Sequence, residues 1–161
     1  MIDSGQDIFE LVNGLFRMPE STAENWVRMH FGEGVDIQKN YLDDRSLSDL
    51  VIPNISCEND IRIGSVPYSF EMVMIVFDPN EQIYKIMFKR SGGQPGLFDS
   101  LYEQLLEELG EPYDHYYGDP NSSWDADYYH WPFHEGLELD LCETFGVDNE
   151  TPEIWIGICY V

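Results

Sequence analysis

Oxygen-bearing side chains recur at every second position from Asp119 to Asp127: Asp119, Asn121, Ser123, Asp125 and Asp127. That is the ligand rhythm of a calcium loop, which also needs glycine at its sixth position and a bidentate Glu at its twelfth. Here the sixth residue is Trp124 and the twelfth is His130, and Pro120 disturbs the entry. The calcium reading fails at its two most demanding positions. Histidines in the same region, His115, His130 and His134, raise zinc instead. His130 and His134 would share one face of a helix. Pro132 lies between them, however, and the surrounding alternation is that of a strand. In a strand the two lie about 13 Å apart, too far for one ion held at about 2 Å. The sequence therefore predicts neither a metal nor a cofactor.

Catalysis is no better served. With 31 acids in the chain, carboxylate pairs carry little information. Ser122 and Ser123 lie outside any G-x-S-x-G turn. The glycine-rich Ser91–Gly96 has no G-K-[ST] and so does not cradle phosphate in the Walker manner. Cys57, Cys142 and Cys159 form an odd set with no C-x-x-C, which fits a reducing cytosol. A non-enzymatic protein is expected; a metal enzyme built on the C-terminal histidines is the weakest alternative.

Recognition remains. Tyr and Trp offer large rigid contacts with a polar tip, and carboxylates beside them pair with Lys and Arg. Asp114, Tyr116, Tyr117, Asp119, Trp124, Asp125, Asp127 and Tyr128 combine the two classes in one stretch. Tyr129, Trp131 and Phe133 share the opposite strand parity and are expected in the core, leaving Tyr128 and His130 outside.

Charge sharpens this expectation. The chain has 161 residues and a net charge of −23. All eight Lys and Arg lie at or before Arg90, whereas residues 91–161 hold sixteen acids and no base. Such a field repels nucleic acid and anionic membranes and steers cationic proteins inward. At 43% hydrophobic and 14% aromatic the chain has ample material for a core. The opening MIDSGQDIFE has no basic region or long apolar run, which predicts a cytoplasmic protein without a secretory leader.

The positioning elements follow from periodicity. A helix is expected over Ser4–Phe16, and a second from the capping-box pattern Ser21–Glu24 up to Gly32. Residues 35–68 read as a loose segment with an edge strand near Ile61–Val66. Phe70–Phe77 and Ile83–Phe88 read as a hairpin. Leu97, Leu101, Leu105 and Leu109 mark a helix stopped by Gly110. Gly136–Cys142 and the final strand alternate strictly. The expected fold is one α+β domain over 1–161: a helical part about 4–34, the loose segment about 35–68, and the sheet with the long helix about 69–161. Its antiparallel sheet should have four to six strands, with helices mainly on one face. The other face should collect Glu138, Asp140 and Trp155 as an exposed acidic surface.

In size, one-sided acidity and layout the chain resembles the acidic immunity proteins of bacterial polymorphic toxin systems, of the contact-dependent and type VI secretion kinds. That resemblance implies a cytoplasmic protein that binds and blocks one cognate basic toxin domain, often a nuclease. The alternative is an acidic DNA mimic or adaptor that binds a DNA-binding protein.

Overall fold

A computed structural model describes residues 5–42, 47–55, 60–91, 96–119, 126–144 and 152–161. The chain runs β1 (Gln6–Asp7), α1 (Ile8–Val12), α2 (Glu20–Phe31), β2 (Gln38–Tyr41), β3 (Leu47–Ile52), β4 (Asp60–Ile63) and β5 (Val66–Ser69). It continues as β6 (Met72–Phe77), β7 (Ile83–Ser91), α3 (Leu97–Leu109), β8 (Asp114–Tyr116), β9 (Ala126–His134), β10 (Leu137–Thr144) and β11 (Glu153–Tyr160).

Eight strands form one sheet in the order β2-β3-β6-β7-β11-β10-β9-β8, with every neighbouring pair antiparallel. β1, β4 and β5 form a second, three-stranded sheet. The α+β class is as expected, but the strand number of four to six is corrected upward. The added strands lie mostly in the supposedly loose segment and in the tyrosine-rich run before Tyr117. β2 and β8 are exposed along their whole length, so no buried face imposes a period-two pattern on them.

The first helix is also shorter than Ser4–Phe16. Asp7 caps it by accepting from the Phe9 and Glu10 amides, and it ends at Val12 before Gly14. The second helix begins at Glu20 behind Pro19, so Ser21 is not its cap. Glu24 points instead to Lys39 on β2.

Helices pack on one sheet face. Tyr102 of α3 stacks on Tyr129 at 4.0 Å, Phe31 of α2 meets Phe70, which meets Phe88, and Phe9 of α1 meets Phe133. Phe98, Leu101 and Leu105 anchor α3, each burial contributing about 1.5–3 kcal/mol. The Tyr68 hydroxyl lies 3.0 Å from the Phe88 carbonyl and 2.7 Å from that of Ile154, tying β5 to the large sheet. Tyr129 and Trp131 are buried and Phe133 packs against the core, as their parity predicts.

Register sets the opposite face. One row runs Met87, Gly157, Asp140, His130, Asp114; the next runs Lys89, Trp155, Cys142, Tyr128, Tyr116; a third runs Lys85, Cys159, Glu138, Pro132. This face holds Glu138, Asp140 and Trp155, as expected, but not as an exposed acidic surface. Asp140 is 5% exposed, and Cys142 and Cys159 are buried. No helix among the described residues is long and apolar enough to cross a membrane.

Candidate functional site

Two neighbouring features carry chemistry: the β8 edge and a polar cluster on the open face.

β8 is the last strand of the sheet and pairs only with β9 among the described strands. Gly110 ends α3, its carbonyl accepting from Trp131 Nε1, and the chain then turns back along β9. The position leaves Tyr113, Tyr116 and Tyr117 at 62%, 51% and 62% exposed. Asp114 and Asp119 are exposed beside them. Tyr117 is braced from below: its ring meets Tyr129 edge-on, and its hydroxyl accepts from that of Tyr129. Burial and this bond raise the Tyr129 phenol well above its ordinary value. Asp127 faces inward to accept from the Gly118 amide at 3.0 Å, fixing the bend after β8. Asp127 is thus a scaffold for the edge rather than part of its outer surface. Trp124 and Asp125 lie outside the described residues, so five expected interface positions meet here: Asp114, Tyr116, Tyr117, Asp119 and Tyr128, the last with its ring 6.2 Å from that of Tyr116.

The second feature begins with the cross-strand pair His130 and Asp140. His130 Nδ1 lies 2.5 Å from Asp140 Oδ1 and 3.9 Å from Glu138 Oε1. Lys85 Nζ donates to Asp140 Oδ2 at 2.8 Å. The Cys159 thiol donates to Glu138 Oε2 at 3.4 Å. Glu138 Oε1 is buried and has no hydrogen-bond partner among the described residues. Burial, reinforced by the Asp140 charge, raises the Glu138 carboxyl above its ordinary value. For Lys85, burial pulls the ammonium down, but the Asp140 charge and hydrogen bond outweigh it and the net shift is upward. Burial pushes the Cys142 and Cys159 thiols up to about 12, which removes both as ready nucleophiles.

The three histidines are not brought together. His134 stacks on Phe9 at 3.6 Å, His115 leans on Tyr117, and His130 joins the carboxylates. The expected partner-binding set is divided in the same way. Glu138 and Asp140 turn into the cluster, and Trp155 receives Lys89 over its ring at 5.8 Å. Lys85 and Cys159 are not among the expected site residues, and His130 enters there only through the histidine-based zinc reading. Strand alternation puts all three on the open face, but register makes them neighbours.

No protein-family model matches the chain, and no curated protein or solved structure matches it.

Proposed function

We propose that this chain is a non-enzymatic inhibitor of the immunity-protein kind, which docks a basic protein domain against its β8 edge in the bacterial cytoplasm. The observation that carries the reading is the joint exposure of Asp114 and Tyr116 on an edge strand and of Tyr113 and Tyr117 at its two ends. Around them the sequence offers no Lys or Arg after Arg90. Exposed tyrosines supply contact area at low entropic cost, and exposed carboxylates supply attraction and register against Lys and Arg. The partner would be a toxin domain with a cationic groove, as in a nuclease, where Asp114 and Asp119 would occupy positions otherwise taken by phosphates.

The test is affinity capture from the native host followed by reconstitution with the purified partner. A basic domain whose toxic activity is blocked at one-to-one stoichiometry supports the reading. A captured partner that is acidic, or that binds equally well to Tyr116→Ala and Tyr117→Ala variants, overturns it.

A further inference from the structure

We propose that His130, Glu138 and Asp140 form a binding site for a divalent first-row transition metal, with zinc the best match, on the open face of the large sheet. One ligand atom from each residue lies within 4.8 Å of the other two. The three come from adjacent strands in fixed register, His130 from β9 and both carboxylates from β10. Adjacent antiparallel strands hold such a set without a loop to order.

How the carboxylate oxygens are divided distinguishes this set from a chance meeting of charges. Each carboxylate has one oxygen held from behind and the other turned toward His130 Nδ1. Lys85 holds Asp140 Oδ2, leaving Oδ1 toward the imidazole. Cys159 holds Glu138 Oε2, leaving the orphaned Oε1 toward it. This is the outer-shell support that orients the ligands of metal sites. Glu138 is 12% exposed at its side chain, and a carboxylate oxygen kept from water without a donor is unfavourable unless a cation or proton meets it.

The donor set is one imidazole nitrogen and two carboxylate oxygens, a mixture that suits zinc and its neighbours better than calcium. Ligands at about 2.0–2.2 Å around one ion sit about 3.0–3.6 Å from each other. The present 2.5 Å pair must open slightly and the 3.9 Å pair must close slightly, both within reach of side-chain rotation. Binding asks His130 to carry its proton on Nε2, so that Nδ1 offers its lone pair. Three protein ligands leave further coordination positions toward solvent, as in open rather than closed zinc sites. The site lies one strand from the β8 edge, since Asp114 pairs directly with His130.

The test titrates the metal-free chain with Zn²⁺ by calorimetry at 0.5 M salt, which screens the diffuse acidic surface. Co²⁺ serves as the spectroscopic probe. One equivalent should bind with micromolar or better affinity, and Co²⁺ should develop visible ligand-field absorption. Glu138→Gln keeps the shape, removes the orphaned charge and should leave the fold intact. It should weaken Zn²⁺ binding at least tenfold, and His130→Asn should do the same. Absence of saturable binding by the wild-type chain overturns the proposal. So does binding that both variants retain unchanged, which would place the ion elsewhere on the acidic surface. The outcome is independent of whether a toxin partner exists.

Discussion

Lys85 reaches Asp140 by lying across Gly157. Lys85 and Asp140 flank β11 on β7 and β10, Asp140 is opposite Gly157, and the ammonium donates to Asp140 at 2.8 Å. A Cβ at position 157 would stand 2.8 Å from Lys85 Cε. Gly157 lies in the middle of β11 and its φ is not positive, so the absence of a side chain, not backbone freedom, is what the position requires. Gly157→Ala should displace the lysine and leave Asp140 half-paired in a nearly buried setting, lowering stability by about 1–3 kcal/mol. The check is a double-mutant cycle by denaturant unfolding. In a Lys85→Ala background the same substitution should cost nothing within about 0.5 kcal/mol. An equal cost in both backgrounds would mean the clash is with the strand itself.

Asp78 gives a pH prediction. Its Oδ2 accepts from the Tyr160 hydroxyl at 2.6 Å, and its Oδ1 accepts from the Asn80 and Gln82 amides. The Tyr160 bond, ahead of those two amides, holds the Asp78 carboxyl below its ordinary value of 3.8. The unfolded chain therefore binds the proton more readily. Stability from Asp78 is complete above pH 3.8 and is lost as pH falls through the lower folded value. Thermal melts should show a shallower acid limb for Asp78→Asn than for wild type, with the difference confined below about pH 4. Parallel limbs would remove Asp78 from the linkage.

Much of this arrangement is readable from the sequence, but the cluster is not, and one residue explains why. Parity alone places His130, Glu138 and Asp140 on one face. The turn His134-Glu135-Gly136 is visible too, with Gly136 at φ +76°. Extending the His134–Leu137 pair without interruption would set His130 opposite Leu141, an outward residue against an inward one. A bulge between Leu137 and Glu138 shifts the register by one and sets His130 opposite Asp140. Gly157 is the second hidden element, since its role appears only once Lys85 is seen to cross it. β2 and β8 escaped for a simpler reason: strands exposed along their length leave no hydrophobic period to detect.

The buried thiols lead to a reactivity prediction. Cys142 lies opposite Trp155 and Tyr128, and Cys159 opposite Lys85 and Glu138. Both are under 6% exposed, and burial pushes both up to about 12. At pH 8 the thiolate fraction is on the order of one in ten thousand. Alkylation mapped by mass spectrometry should leave both unmodified in the folded chain and label both promptly in denaturant. Rapid native labelling of Cys142 would show that the open face breathes far more than its packing implies.

The edge reading makes the sharpest functional prediction. If the partner is steered by charge, its association rate should fall by an order of magnitude or more between low and physiological salt, while dissociation changes little. Reversing Asp114 and Asp119 to Lys should slow association and flatten that salt dependence. Tyr116→Ala and Tyr117→Ala should act on dissociation instead, each costing about 1–3 kcal/mol of binding because they remove contact area rather than field. Asp127→Lys is the instructive control. Asp127 holds the Gly118 amide, so its reversal should disturb the bend after β8 and lower thermal stability as well as affinity. Stopped-flow association across a salt series, with melts of each variant, separates the two roles. Asp114 and Asp119 variants that leave the on-rate and its salt slope unchanged would place the interface elsewhere on the chain.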